Sequence, residues 1–263
     1  MSAAGRGVER IDQDTYETPI WCVQRLLEAC PIPPGLYYEP CAARGKIIRA
    51  ANDFYPGRLT WFANELREEA WTPLAQLLHP TQVSIGSAID WGEMPFDWID
   101  PFDGIITNPP FSLAFEFLQM ALARARFVAF LLRLNFLGSE DRAWFWKQCP
   151  PDLYILPNRP CFHVFMKDRY VCKKCKKSVT VVEGSPAPRC KICHRPCERG
   201  KTRKKDEDSK SRTTSDATEY AWYVWPEGVR ERKRGLITVL DPTSLEVRQA
   251  AVQELLAERL LAA

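Results

Sequence analysis

Histidine is scarce in this 263-residue chain, with only His79, His163 and His194. None lies in a Ser/His/Asp arrangement, which excludes hydrolysis of the triad kind. A phosphate-binding glycine loop is also missing, as is any catalytic-metal signature. Long apolar runs are absent: Phe127–Leu132 stops at Arg133, far short of the roughly 20 residues of a membrane span. The opening stretch MSAAGRGVERIDQDTYETP has no apolar segment of the secretory kind, so a cytoplasmic, reducing compartment is expected. No internal repeat is present.

What the chain does hold is enough for one large α/β domain and a small module. Hydrophobic residues make up 46% and include nine tryptophans, ample for a packed core. Charge is unevenly placed although the net value is only +3. Between Lys167 and Arg212 sixteen Lys/Arg face six Asp/Glu, whereas the rest carries twenty against twenty-seven. A compact basic segment on a mildly acidic body points to a polyanionic partner.

Short β-rich apolar runs alternate with helical patterns. Strands are expected at Leu36–Tyr38, Leu59–Ala63, Val83–Ile85, Gly104–Thr107, Phe127–Leu132, Leu153–Leu156, Glu219–Trp225 and Leu236–Leu240. Helices are expected at Lys46–Asp53, Glu68–Leu78, Ala114–Arg124 and Ser244–Leu261. Such alternation, with strands apolar on both faces, predicts a parallel sheet covered on both sides. The pattern breaks between Tyr170 and about Ser215. The expected division is therefore residues 1–169 as the first part of a core, 170–215 as an insert, and 216–263 as the closing part.

In doubly wound sheets, ligands sit beyond the carboxyl ends of strands, and four such ends are informative. Glu39-Pro40-Cys41-Ala42-Ala43-Arg44-Gly45 is an acidic strand end entering a small-residue turn, although it lacks the full glycine-rich fingerprint. Asn64-Glu65 follows the next strand at the spacing where an acid can accept ribose hydroxyls. Asp90 follows Ile85-Gly86-Ser87, with Glu93, Asp97, Asp100 and Asp103 as competing acids. Asn108-Pro109-Pro110-Phe111 is the strongest signal. Two prolines stiffen the turn, so the Asn108 side-chain oxygen and the Pro109 carbonyl can each accept one N–H of a planar amino group. That arrangement favours a more tetrahedral nitrogen by alignment and electrostatics, with no general base. Phe111 offers a face on which a flipped base can stack.

Five of the ten cysteines are scattered singly: Cys22, Cys30, Cys41, Cys149 and Cys161. These read as small buried hydrophobes. Cys172, Cys175, Cys190 and Cys193 form two C-x2-C knuckles, the pattern of a four-thiolate Zn2+ site. Four ligands fill the coordination sphere, so such a metal is structural. His194 and Cys197 are neighbours outside that set. Lys173, Lys174, Lys176, Lys177, Lys191 and Arg195 surround the knuckles and suit phosphate contact.

Together these elements resemble the amino-methyltransferases, specifically phage- and prophage-type DNA N6-adenine methyltransferases, over most of the chain outside Tyr170–Ser215. Tyr16-Glu17-Thr18-Pro19 is similar to the family's N-terminal cofactor-flanking motif, Glu39–Gly45 to its first cofactor motif, and NPPF to its catalytic tetrapeptide. Phe130–Arg142 resembles the strand and helix that follow. Asn158–Phe162 and Thr218–Trp222 resemble late motifs walling the base pocket. The resemblance implies a Rossmann-like doubly wound methyltransferase sheet carrying a small inserted four-cysteine zinc module. It implies S-adenosylmethionine as cofactor, bound by Tyr16, Thr18, Pro19, Glu39, Pro40, Cys41, Ala42, Gly45, Glu65 and Asp90, with Thr18 and Glu39 at its methionine part, Glu65 at the ribose and Asp90 at the adenine ring. It implies duplex DNA as partner, a flipped adenine as substrate, and a bacterial or phage-infected cytoplasm with restriction-modification as the setting. Cytosine N4, RNA adenine and a protein glutamine amide are alternative planar nitrogens. A non-catalytic, zinc-containing nucleic-acid-binding protein is the alternative from another class.

Overall fold

A strand buried on both faces must be apolar at successive positions, and this decides where the sheet forms. In a computed structural model of the chain, the described residues are 17–89, 96, 99, 101–162, 167–175, 178–182, 189–190, 192–199, 218–227 and 234–261. The main strands are β1 (Gly35–Glu39), β2 (Leu59–Glu65), β3 (Val83–Ile85), β4 (Phe102–Thr107), β5 (Ala125–Arg133) and β6 (Asp152–Leu156). Three short strands follow, β7 (Lys167–Val171), β8 (Ser178–Val182) and β9 (Glu198–Arg199), and then β10 (Tyr220–Trp225) and β11 (Ile237–Val239). Eight of them make one sheet in the order β11-β6-β10-β5-β4-β1-β2-β3.

Alternate residues of each strand enter different cores. Phe127, Ala129 and Leu131 of β5 join Tyr37, Trp61, Ile106 and Trp222 on one face. Val128, Phe130 and Leu132 join Tyr38, Phe62, Ile105 and Tyr223 on the other. Helices α1 (Ile20–Ala29), α2 (Lys46–Phe54) and α3 (Trp71–Leu77) cover the first face, and α4 (Ala114–Arg124) with α5 (Ala143–Gln148) the second. A last helix, α6 (Leu245–Leu261), lies against α1. The expected α/β fold, doubly wound around one sheet, is what forms.

Three details depart from expectation. All pairs among β3, β2, β1, β4 and β5 are parallel, but β10 runs antiparallel to both β5 and β6. It fills the slot between them with six fully buried residues, and the indole N–H groups of Trp222 and Trp225 donate to the carbonyls of Cys22 and Cys149 at 2.8 and 3.1 Å. The helix expected over Glu68–Leu78 is split into a 3-10 turn at Glu68–Ala70 and then α3. Pro73, in the first turn of α3, has no N–H to continue an α-helix from Glu69. Helix α1, flanked by Pro19 and Pro31, has no counterpart among the expected elements.

The small sheet β8-β7-β9 stands in the stretch where no regular pattern was expected. In the main sheet, β1 and β4 approach closely because Gly104 has no side chain: a Cβ there would fall 2.3 Å from Cε1 of the buried Tyr37 ring. Gly104→Ala is therefore expected to destabilise the fold by about 1–3 kcal/mol, measured as a lowered urea midpoint at unchanged slope.

Candidate active site

Strand order reverses at β1, with β2 and β3 on one side and β4 and β5 on the other. Helices leave opposite faces there, and in doubly wound sheets that is where ligands sit, beyond the carboxyl ends of the strands. Tyr38 of β1 lies beside Ile105 of β4, so Glu39 and the Thr107-Asn108 pair end at one edge. Glu65 ends β2 at the same edge, opposite Ile85 of β3.

The turn after Glu39 is wound by its small residues. Ala43 and Gly45 adopt left-handed backbone angles, φ 46° and 79°. A side chain at Gly45 would meet Leu77 at 2.7 Å, so the position that opens α2 accepts glycine alone. Ala42 N–H donates to Asn64 O at 2.8 Å, and Asn64 Nδ2 reaches back to the carbonyls of Pro40 and Gly86 at 3.4 and 2.9 Å. Ala43 N–H donates to Glu65 Oε2 at 2.8 Å, while Glu65 Oε1 accepts from Leu66 N, Arg67 N and Arg67 Nε. The carboxylate assigned to a ribose thus also ties the end of β2 to the β1 turn. Cys41 lies in this turn, and burial raises its thiol well above the usual range.

Three carboxyls gather here. Glu39 is 1% exposed, and its Oε2 has no hydrogen-bond partner among the described residues. Burial, then the neighbouring Glu17 and Glu65, push its pKa well above the carboxylate range. Glu17 is pushed up to about 7, first by burial, against the pull of Lys46, Arg44 and Arg67 and with the help of Glu258. Its Oε2 likewise lacks a described partner. Two acids whose charged forms are disfavoured, close to a third carboxyl, make a site that gains from an arriving cation. An ammonium or sulfonium fits this donor set. Lys46, 3% exposed, supplies the nearest fixed positive charge and is held by Glu258 and Glu254 of α6 at 3.1 and 3.6 Å. Sequence reasoning gave Glu17 no role, although it lies within the quoted TYETP stretch; its burial is the property that residue type alone does not reveal.

A pH prediction follows. Glu17 binds its proton more tightly in the folded chain than at its ordinary value of 4.5, so the empty protein loses stability as pH rises from about 4.5 to about 7. A cationic ligand favours the ionised form, so its affinity rises over the same range. Between pH 6 and pH 8 the affinity for S-adenosylmethionine should increase about tenfold, and Glu17→Gln should flatten the dependence in calorimetric titrations. The flanking groups Glu39, Lys46, Arg44, Arg67 and Glu258 hold the remaining field.

The NPPF turn meets the N-terminal motif directly. Asn108 is 7% exposed, and its Nδ2 donates to Thr18 Oγ1 at 3.1 Å, with Thr18 itself buried just before Pro19 caps α1. That bond turns the amide so that Oδ1 lies on the side away from Thr18. Pro109 follows, Pro110 starts the 3-10 turn Phe111–Leu113, and α4 begins at Ala114. The ring of Phe111 lies 5.9 Å from Tyr220, which lies 5.0 Å from Phe162. An Arg159–Glu219 ion pair joins the two late stretches. The structure thus brings Asn158–Phe162 and Thr218–Trp222 to Phe111, with Tyr220 and Phe162 buried.

The open space lies on another side of the ring. A cavity of about 230 Å3 is lined by Phe111, Leu132, Arg133, Asn135, Phe136 and Arg142. Glu39 and Asn108 are not among its walls. Sequence reasoning quoted this stretch as a strand and helix following the NPPF turn and gave its arginines no role.

The four cysteine sulfurs of Cys172, Cys175, Cys190 and Cys193 lie within 4.8 Å of one another, with Cys172 and Cys193 at 3.5 Å. Tetrahedral bonds of about 2.3 Å to zinc set sulfurs about 3.8 Å apart, so the cluster fits the metal. Backbone N–H groups of Cys193 and Ile192 lower the Cys190 thiol, whereas hydrogen bonds with Cys193 and Cys190 raise that of Cys175, so the sulfurs share protons within one cluster. Cys197 is buried beside them, and Cys22, Cys30, Cys149 and Cys161 are buried in the main domain. Lys173, Lys174 and Arg195 are exposed, with Lys173 paired to Glu198 at 2.6 Å. Tyr16, Asp90, Lys176, Lys177 and Lys191 lie outside the described residues.

Comparison with known proteins bears on the fold. No protein-family model and no curated protein matches the chain. Among solved structures, the type I restriction-modification methyltransferase subunit of Streptococcus thermophilus aligns at TM-score 0.52 and 12% identity. That alignment covers 92% of this chain and 52% of that one. A SAM-dependent O-methyltransferase from Thermotoga maritima aligns at 0.45 and 10%, over 84% and 70% of the two chains. Precorrin-6y C5,15-methyltransferase from Geobacter metallireducens aligns at 0.40 and 10%, over 78% and 85%. The chain has the fold of S-adenosylmethionine-dependent methyltransferases. Among the described residues, no helix is long and apolar enough to cross a membrane.

Proposed function

We propose that the protein transfers a methyl group from S-adenosylmethionine to the N6 amine of an adenine in DNA, flipped against the NPPF turn. The observation that carries this reading is the bond from Asn108 to Thr18, made at the strand edge where the buried Glu39 and Glu17 carboxyls gather. A planar-amine acceptor and an acidic, cation-seeking turn share one edge of a methyltransferase-type sheet.

When bound, S-adenosylmethionine supplies an electrophilic methyl on a sulfonium. Glu39 and Glu17 hold its positive methionine end, and Glu65 faces its ribose from β2. Asn108 Oδ1 and the Pro109 carbonyl accept the two N–H bonds of the target amine, and the nitrogen lone pair then turns toward the methyl. Phe111 stacks on the base. Transfer would leave the sulfonium as a thioether, and the methylated nitrogen would then release one proton to solvent water, so no side chain need act as a base to start it. The four-cysteine module, loaded with zinc, is expected to grip the duplex beside the target through its lysines and arginines.

The test is nucleoside mass spectrometry after incubation of unmethylated DNA, RNA and a glutamine-containing polypeptide with the protein and S-adenosylmethionine. N6-methyladenine in DNA is the expected product. N4-methylcytosine, methylated RNA or methylated polypeptide would move the reading to another nitrogen, and no transfer would leave the non-catalytic binding protein.

A further inference from the structure

Lys46 opens α2 directly after the turn at Glu39, yet it is almost wholly buried. An ammonium taken out of water needs carboxylates around it. Among the described residues its ion pairs go to α6 alone, to Glu258 Oε2 at 3.1 Å and Glu254 Oε1 at 3.6 Å, one helical turn apart. Those two side chains are 24 and 40% exposed, so water can carry their charge even without the lysine. The start of α6 is fixed beside α1. Arg25 Nε donates to Thr243 Oγ1 at 3.1 Å, and Thr243 N–H donates to Asn158 Oδ1 at 2.6 Å.

The same ammonium acts on the acids of the site. Of the cations that pull the Glu17 pKa down, Lys46 is the strongest, ahead of Arg44 and Arg67, while Glu258 pushes it up. Glu17 Oε2 is shut off from water and has no hydrogen-bond partner among the described residues. One lysine therefore serves two sets of carboxyls, and α6 holds it. Were it to turn to Glu17, it would fill the place that a cationic ligand needs. Resting on the cofactor reading above, we propose that Glu254 and Glu258 are positioning residues, which hold Lys46 away from Glu17 and keep the acidic turn open to the ammonium of S-adenosylmethionine. Helix α6 thus belongs to the cofactor site through Lys46.

The test compares four zinc-loaded full-length proteins: wild type, Glu254→Gln with Glu258→Gln, Lys46→Met, and the triple variant. In calorimetric titration with S-adenosylmethionine at pH 8, the glutamine pair should bind about tenfold more weakly than wild type. Lys46→Met, an apolar replacement that a buried site accepts, should bind at least as tightly as wild type. The triple variant should match Lys46→Met, because the competing ammonium is gone. A second arm needs no cofactor. The empty wild type loses stability as pH rises from about 4.5 to about 7. Pairing with Lys46 would lower the folded-state pKa of Glu17 toward its ordinary value, so the urea midpoint of the glutamine pair should stay level over that range. The loss should return in the triple variant, since Lys46 acts on Glu17 more strongly than Glu258 does. Arg44, Arg67 and Glu39 are common to all four proteins. Wild-type affinity and a wild-type pH loss in the glutamine pair would overturn the inference. So would weak binding that persists in the triple variant, which marks α6 as merely structural, or weaker binding by Lys46→Met, which marks the lysine as a ligand contact. Absence of binding heat in the wild type instead overturns the cofactor reading on which the inference rests.

Discussion

Asn108→Ala should lower methyl transfer by about 10²–10³-fold while leaving S-adenosylmethionine affinity within a few-fold of wild type. The reason is local. In the proposed reaction Asn108 contributes an acceptor to the reacting amine, and its Nδ2 bond to Thr18 sets the side on which that acceptor lies. The carboxyl of Glu39, proposed to hold the cofactor, stands on β1, while that of Glu17 adjoins Thr18, which is the reason a few-fold change is allowed. Single-turnover rates with labelled cofactor, beside calorimetric affinities, separate the two effects. Thr18→Val should give a smaller loss of rate, because Asn108 keeps its oxygen and loses only its orientation. If Asn108→Ala turns over at the wild-type rate, the amine acceptor lies elsewhere.

Removing zinc should unfold the small module and spare the main sheet. Among the described residues the apolar cluster of the module consists of its cysteines, so little else holds it together. Structural zinc contributes about 10–16 kcal/mol in small sites of this kind, as much as the whole stability of a typical domain. Cys190→Ser, or chelation of the native protein, should abolish the one-to-one zinc content. The two cysteine turns, at Cys172–Cys175 and around Cys190 and Cys193, should then become open to protease. The two cores on the faces of the eight-stranded sheet contain none of these cysteines, so the main thermal transition should stay in place. DNA affinity should fall with the metal. A Cys190→Ser protein with unchanged protease resistance and no metal in the wild type would remove zinc from the account.

The main sheet was legible because burial on both faces leaves continuous apolar runs, as in Phe127–Leu132, and because its ends carry punctuating residues such as Glu39-Pro40 and Asn108-Pro109. The direction of β10 was not legible. Its six residues suit either direction, and only the slot between β5 and β6 decides. Helix α1 escaped because it is short and bounded by prolines. Its apolar stripe of Val23, Leu26 and Leu27 acquires meaning only against β10, where Cys22 receives the Trp222 indole bond. At the site, residue type and spacing pointed to Thr18, Glu39, Glu65 and the NPPF turn, and the structure gathers all of them at one sheet edge. Glu17 escaped for a physical reason: a carboxyl becomes unusual through burial, and burial depends on contacts across the chain. The cysteine spacing needed no such context, since two tight turns with paired thiolates already specify a tetrahedron.

Calorimetric titration of S-adenosylmethionine into the zinc-loaded protein tests the cofactor edge most directly. One site per chain is expected, with affinity at least about tenfold weaker in Glu39→Gln and unchanged in Cys190→Ser. Absence of binding heat in the wild type, or full affinity without the Glu39 carboxylate, would contradict a cation held at the end of β1.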